Sequence, residues 1–263
     1  MNNPYLSVVI PCFNEERNLK RGVLKEVWQY LKKQKYSSEL IVSDDGSTDD
    51  SVKAVKELFI NELNKPTNSL TRDKVIIKLI ENPHGGKPFA VRAGIKKAKG
   101  KIVLFTDMDQ STPIKEIEKL LPFFEKGYEV VIGSRGLERK GFSFFRRLAS
   151  KVFLLFRKTL LLKNINDTQC GFKAFKNKVA KDLFSQLLIF KNPAKVKGWR
   201  VGAFDVELLF IAQKRGYKIA EVPVYWEDKD VAKGKQRKFF KESWQMLKEI
   251  LRVKINDLRG LYD

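Results

Sequence analysis

The sequence predicts an α/β fold: a mostly parallel open sheet with helices on both faces. Three observations predict it. Short, almost wholly apolar runs at 6–10, 40–43 and 102–106 alternate with longer stretches of helical pattern, as buried parallel strands alternate with crossover helices. Two of these runs end in carboxylates, Asp44-Asp45-Gly46-Ser47-Thr48-Asp49 and Asp107-Met108-Asp109. Ligands of such sheets bind beyond the carboxyl ends of the strands. Apolar residues make up 43% of the 263, enough for a sizeable core and too many for a disordered chain.

The elements follow in order. Run 6–10 is a strand that Pro11 ends. Asn14-Glu15-Glu16 caps a helix over about 18–33. After the strand 40–43, Ser47-Thr48-Asp49 caps a helix reaching about residue 63. The polar segment 64–73, with Pro66, reads as a surface loop. A third strand spans 75–80, a helix spans 88–99 and is closed by Gly100, and a fourth strand spans 102–106. Pro113 sits in the first turn of a helix that ends before Gly127. Run 129–132 is a strand leading into Gly133-Ser134-Arg135. Right-handed crossovers join these strands. After Arg135 come an aromatic-rich, basic helix over 142–162, a short strand over 170–175, helices over 179–188 and 205–215, a strand over 217–224, and a final amphipathic helix over 236–254.

Charge is uneven. Lys and Arg total 52 against 31 acidic residues, a net of +21. Residues 135–200 hold 17 basic and 3 acidic residues, and 229–259 hold 10 and 4. Such a field suits a polyanion: nucleic acid, an anionic membrane surface or a phosphorylated substrate. The two cysteines, Cys12 and Cys170, lack CxxC spacing and there is one histidine, so a zinc site is disfavoured and a reducing compartment fits. No basic leader with a long apolar core opens the chain, and no stretch of 18 apolar residues occurs. The expectation is a peripheral protein on the cytoplasmic side of a membrane, without a transmembrane segment.

Asp-x-Asp at a strand end is a means of holding Mg2+ or Mn2+ against a diphosphate. Asp109 is expected to bind the metal most directly, Asp107 to bridge to ribose or metal, and Ser111 to assist through water. Lys87, on the turn His84-Gly85-Gly86, neutralises phosphate charge or orients the donor; otherwise it is a solvated loop lysine. Pro11, Phe13 and Glu15 lie beside a nucleobase, with a core role as the alternative for Phe13. Asp44 accepts a hydrogen bond from a uracil imide, and Asp45 sits beside the ribose or caps the next helix. Neither Gly-x-Gly-x-x-Gly nor Gly-x-x-x-x-Gly-Lys-Ser/Thr is present, which disfavours NAD and P-loop chemistry.

From about residue 6 to residue 224 the chain resembles the family 2 glycosyltransferases, of the GT-A fold. Within them it resembles most the dolichyl- or polyprenyl-phosphate sugar synthases, especially the dolichyl-phosphate β-glucosyltransferase branch. The resemblance rests on Val8-Val9-Ile10-Pro11-Cys12-Phe13-Asn14-Glu15-Glu16, the two Asp motifs, Gly86-Lys87 with Ala90-Val91-Arg92, and Gly133-Ser134-Arg135. Its most specific pieces are Asp167-Thr168-Gln169-Cys170-Gly171-Phe172-Lys173 and Phe204-Asp205-Val206-Glu207-Leu208-Leu209. The chain departs from relatives at His84, where Asn is usual, at Pro88-Phe89 in place of Gly-Gly, and at Ser111, where some mannosyl-phosphate synthases have a metal-binding Gln. The membrane helices that flank the core in many relatives are not found, and neither is the Gln-x-x-Arg-Trp motif of processive synthases.

The resemblance implies transfer of a sugar, glucose first, from a UDP-sugar to polyprenyl or dolichyl phosphate, with inversion, giving a lipid-phospho-β-sugar and UDP. It implies a nucleotide-sugar-binding half (1–135), an acceptor-binding half (136–228) and a basic, membrane-peripheral C-terminal helix (229–263). An acceptor phosphate is already anionic, so no strong general base is required; a positive clamp is. Arg135 is the first candidate, then Arg139 or Arg146, with Lys173 a further one. Asp205 and Glu207 read hydroxyls, or serve as base for a hydroxyl acceptor; a cap or salt bridge is the alternative for Glu207. The competing readings are a hydroxyl acceptor on a glycolipid or lipid-linked glycan, GDP-mannose as donor, and a catalytically inactive nucleotide-sugar sensor. Nucleic-acid binding is disfavoured, because the aromatic residues lie in helices rather than on a sheet platform. Apolar stripes in 145–156 and 239–251, bordered by Lys and Arg, suit an anionic membrane surface, core packing or a homo-oligomer contact.

Overall fold

Runs rich in β-branched residues and leucine form seven strands among the described residues: β1 (Leu6–Cys12), β2 (Ser38–Asp44), β3 (Val75–Glu81), β4 (Ile102–Thr106), β5 (Val130–Ser134), β6 (Phe172–Lys176) and β7 (Ile219–Pro223). The computed structural model describes residues 3–63, 75–136, 161–162, 165–190, 204–231 and 239–263, without the side chains of 62–63 and 239–246. All seven strands join one sheet in the order β3-β2-β1-β4-β6-β5-β7. β1 pairs in parallel with β2 and β4, β2 with β3, and β5 with β7. β6 is antiparallel to both neighbours. The chain leaves β4, skips one position to form β5, and later fills the gap with β6.

The helices are α1 (Glu16–Lys20), α2 (Val23–Lys33), α3 (Ser51–Leu63), α4 (Lys87–Lys97), α5 (Ile117–Glu125), α6 (Asn177–Gln186), α7 (Phe204–Lys214) and α8 (Phe239–Leu258). Successive strand residues face opposite sides, and both sides are apolar. Val9, Ile41, Val103, Phe105 and Ile132 pack with buried residues of α4, α6, α7 and α8. Val8, Ile10, Leu40, Val42 and Leu104 pack with those of α2 and α5. Phe105 centres the first layer, its ring 6.1 Å from Phe175 and 6.3 Å from both Phe184 and Phe204.

Some boundaries differ from expectation, each for a local reason. β1 runs through Pro11 to Cys12. Its pairing with β4 ends at Val9, so beyond that point only β2 flanks the strand and a missing N–H is tolerated. The helix expected over 18–33 is two helices. Gly22 adopts φ 82°, a left-handed conformation that a side chain resists, and the chain turns there between α1 and α2. The helix after Pro113 opens with a 3-10 turn at Ile114–Glu116 before α5. α8 buries Ile250 and Val253 but leaves Leu251, Ile255 and Leu258 exposed at 41%, 46% and 76%, so one side of it belongs to the core. The helix expected over 142–162 lies outside the described residues up to 160, as do Arg139 and Arg146. No described helix is long and apolar enough to cross a membrane.

A buried carboxylate fastens the amino ends of the strands. Glu39 of β2 accepts hydrogen bonds from Ser7 Oγ at 2.5 Å, the Lys99 N–H at 2.5 Å and Lys78 Nζ at 2.6 Å. Burial pushes its pKa up, but Lys78, Ser7 and the Lys99 N–H together hold it below the usual carboxylate value. A depressed folded-state pKa contributes stability that is present above the unfolded value, about 4.3, and lost as the pH falls through the folded value. Glu39→Gln should therefore destabilise the protein at pH 7, and the difference from the unaltered protein should shrink as urea unfolding is repeated below about pH 4.3.

Candidate active site

The carboxyl ends of β1, β2 and β4 open on one mouth. Two non-glycine residues among those described have positive φ, Asn14 at 54° and Gln110 at 51°. Each lies just past one of these strand ends, where backbone strain marks working sites. Side chains lock both. Asn14 Oδ1 accepts the Thr48 N–H at 2.8 Å, and Gln110 Nε2 donates to the Asp107 carbonyl at 2.8 Å.

The two aspartates ending β2 are engaged by loop donors. Asp44 accepts the N–H groups of Gly46 and Ser47 at 2.9 and 3.0 Å and the Ser47 hydroxyl at 2.5 Å. Asp45 is fully buried and does not cap α3. It accepts the N–H groups of Gly85 and Gly86 at 2.9 and 2.7 Å, and His84 Nδ1 lies 2.8 Å from its Oδ2. Burial raises its pKa against these donors. Asp45 thus fixes the turn that carries Lys87. The His84 ring in turn stacks on Phe13 at 4.4 Å, which makes Phe13 one half of an aromatic layer at the mouth. Glu15 is buried and accepts Asn18 Nδ2 at 2.6 Å.

Lys87 is buried at the start of α4, not a solvated loop lysine, and its Nζ lies 2.5 Å from Asp107 Oδ1. Burial works against its charge, but Asp107, Asp205 and Asp109 outweigh that and raise its pKa. Asp109 is raised as well, first by burial and then by Asp107; the Ser111 N–H, at 2.8 Å from Oδ1, opposes this. Ser111 Oγ also accepts the Lys229 N–H at 3.2 Å. Gly171 abuts this corner: a Cβ there would lie 2.0 Å from Asp107 Oδ2.

The acceptor-side candidates divide. Arg135 forms a two-pronged pair with Asp167, Nε to Oδ2 at 2.7 Å and Nη2 to Oδ1 at 2.8 Å, and lies 5.5 Å over the Trp226 ring. Burial pushes the Asp167 carboxyl up, yet Arg135 holds it well below the usual range. Lys173 is fully buried, pairs with Asp205 at 2.8 Å and donates to the Cys170 carbonyl. Glu207 faces elsewhere. Two residues along a helix turn the side chain to the far side, and Glu207 accepts the Leu188 N–H at 2.8 Å, Arg252 Nη2 at 3.1 Å and the Tyr262 hydroxyl at 3.1 Å. Burial raises its pKa. The structure therefore gathers Lys87, Asp107, Asp109, Ser111 and Asp205, and engages Glu207 in the packing of α8, in line with its salt-bridge alternative.

The model for glycosyl transferase family 2 matches residues 7–184. The chain belongs to that family. It is 35% identical to the dolichyl-phosphate β-glucosyltransferase of Dictyostelium discoideum, over 100% of this chain and 77% of that one. It is also 35% identical to the human protein of the same name, over 98% and 77%. A mannosyltransferase from Pyrobaculum calidifontis, solved with GDP-Man and Mn2+, superposes with a TM-score of 0.60 at 19% identity, over 98% of this chain and 65% of that one. A glucosyl-3-phosphoglycerate synthase from Mycobacterium tuberculosis gives 0.60 at 18%, over 95% and 80%. The mostly parallel sheet flanked by helices is thus that of the GT-A fold. The family 2 enzyme is a glycosyltransferase related to dolichyl- and polyprenyl-phosphate sugar transferases, and takes its sugar from a nucleotide-sugar donor.

Several residues of the site went unassigned in the sequence. Asp167 is 32 residues from its partner Arg135, and no spacing rule connects them. Asn18 is a poor helix former among charged residues, and that mismatch was its signal. Gly171 shows its use only against Asp107. Gly171→Ala should displace the Asp107 carboxylate and lower kcat/KM about a hundredfold in steady-state assays, as misplacement of a reacting group by about 1 Å does, with the unfolding midpoint moved far less.

Proposed function

We propose that this enzyme transfers glucose from UDP-glucose to the phosphate of a polyprenyl or dolichyl phosphate, with inversion. The observation that carries the reading is the state of Asp205 and Glu207, the two carboxylates of α7. A hydroxyl acceptor needs a base, but Asp205 is ion-paired with buried Lys173 and Glu207 is bonded to Arg252 and Tyr262. An acceptor that is already anionic needs neither. The relatives named above support the same lipid-phosphate acceptor.

The donor side suits a divalent ion. Asp109 is a desolvated carboxylate beside a like charge, a setting that favours added positive charge. Among the described residues no group of three or more His, Cys, Asp or Glu is gathered for a metal. Mg2+ in particular is held by one or two carboxylates together with substrate phosphates, and Asp107 and Asp109, with Ser111 beside them, provide that set. When bound, such an ion supplies Lewis-acid neutralisation of the departing diphosphate. Lys87 adds a fixed ammonium on the same side and holds Asp107 in place. Phe13, stacked on His84, offers a face to the base, and Pro11, Asp44 and Asp45 shape the wall behind it. Arg135, oriented by Asp167 and near enough to Asp107 for their charges to interact, meets the acceptor phosphate. An oxygen of that phosphate attacks the anomeric carbon, the bond to the diphosphate breaks, and UDP leaves with the electron pair. The exposed Leu251, Ile255 and Leu258 on α8, among the lysines and arginines of the basic C-terminal segment, suit peripheral contact with an anionic membrane surface.

A matrix of UDP- and GDP-sugars against polyprenyl phosphate and the corresponding free alcohol, with and without chelator, tests this. Transfer is expected from UDP-glucose to the phosphate, lost on chelation and restored by Mg2+ or Mn2+. Asp109→Asn should lower kcat by at least about a hundredfold. Equal transfer to the alcohol would overturn the acceptor, and preference for GDP-mannose would overturn the donor.

A further inference from the structure

The segment after β7 crosses the Asp107–Asp109 corner in extended form, and its fastening follows a period of two. The N–H of Tyr225 donates to Glu116 Oε2 at 2.9 Å, that of Glu227 to the Ser111 carbonyl at 2.9 Å, that of Lys229 to Ser111 Oγ at 3.2 Å, and that of Val231 to Asn18 Oδ1 at 3.4 Å. Alternate residues of an extended chain point the same way, so this edge meets three different parts of the mouth in turn. Asn18 is fully buried in α1. Its Nδ2 donates to Glu15 Oε2 at 2.6 Å and to Asp230 Oδ1 at 3.1 Å. Both ends of one amide are therefore engaged, joining the loop after β1 to the strap after β7. Arg21, three residues on and hence on the same side of the helix, donates from Nη2 to the Asp109 carbonyl at 3.0 Å and from Nη1 to the Lys229 carbonyl. A groove of about 470 Å3 opens beside this contact, lined by Arg21, Tyr30, Asp109, Lys115 and Lys229 among others.

We propose that Asn18 is a positioning residue of the nucleotide-sugar site, and that with Arg21 it latches residues 225–231 across the Asp107–Asp109 corner. Trp226 lies under Arg135, but the rest of the strap is short of packing: Tyr225 is exposed and Glu227 and Lys229 face solvent. These polar bonds are a large part of what holds it, and segments held this way open locally at low free energy. The latch ties a residue of the nucleobase-side motif, Glu15, to the backbone that encloses the diphosphate-side motif. It thereby couples the two halves of one donor site. The inference rests on the donor reading of that corner.

Hydrogen exchange on the full chain without ligand measures the latch, and titration of UDP in the presence of Mg2+ measures its use. Asn18→Ala should speed exchange of the 225–231 amides about tenfold, the effect of losing one or two hydrogen bonds, and weaken UDP binding by a similar factor. Arg21→Met, at an exposed side chain, should speed exchange in the same segment by a smaller factor; it decides the matter alone should Asn18→Ala fail to fold. Unchanged exchange at 225–231 would overturn the latch. Faster exchange with unaltered UDP affinity would overturn the role at the donor site. Absence of UDP binding by the unaltered protein would sink the donor reading itself, while the exchange result still decides whether the latch exists.

Discussion

Carboxylates gathered at the ends of neighbouring parallel strands repel one another, and burial strips them of water. Most of the mouth is arranged around that constraint. Asp44 is met by the N–H groups of its own loop, and Asp45 by those of the turn before α4. Asp107 is met by Lys87, Asp205 by Lys173 and Asp167 by Arg135. Asp109 has the Ser111 N–H, yet its pKa remains raised by burial and by Asp107. Positive charge is therefore most wanted at Asp109, beside the ammonium that already balances its neighbour. The chain's large positive excess lies mostly after residue 134, so the acidic mouth sits within a basic molecule whose field favours polyanionic partners.

The same constraint decides which substitutions are informative. Removing one member of a buried ion pair leaves an uncompensated charge and typically costs about 3–5 kcal/mol. Lys173 and Asp205 form such a pair beneath the site, with Lys173 also 5.4 Å from the Phe105 ring at the centre of the core. Loss of activity on changing either residue would mix chemistry with folding. Lys87 and Asp107 are different, because the Asp107 side chain is 37% exposed and water can take up part of the charge. A change there is less confounded with folding.

Much of the fold was legible because it follows from periodicity. Almost wholly apolar runs of four or five residues had to be buried strands, and the Asp clusters had to fall at their carboxyl ends. What was not legible depended on contacts between distant residues. Nothing local marks β6 as antiparallel, since its direction follows from the gap left between β4 and β5. Gly22 sits inside an otherwise helical pattern, and glycine is compatible with either a helix or a break. Asp45 is expected beside the ribose or as a cap on the next helix, and neither expectation contains the bonds its carboxylate makes to the turn at Gly85 and Gly86, forty residues on. Asp205 and Glu207 looked like a matched pair in sequence. The helical repeat sends one to the mouth and the other to α8.

That last division gives α7 two duties. On one side Asp205 holds Lys173, which also bonds the Cys170 carbonyl next to Gly171, the residue against Asp107. On the opposite side Glu207 collects Arg252 of α8 and Tyr262 beyond it. The aromatic rings of Phe210 and Tyr262, 5.6 Å apart, extend the same contact. Buried packing of this kind transmits displacement rather than absorbing it. The C-terminal helix, with its exposed leucines outward and Ile250 and Val253 inward, is thus joined to the Asp107 corner through one rigid helix. A surface that engages the outer side of α8 would meet a helix whose inner side packs on the helix that carries Asp205.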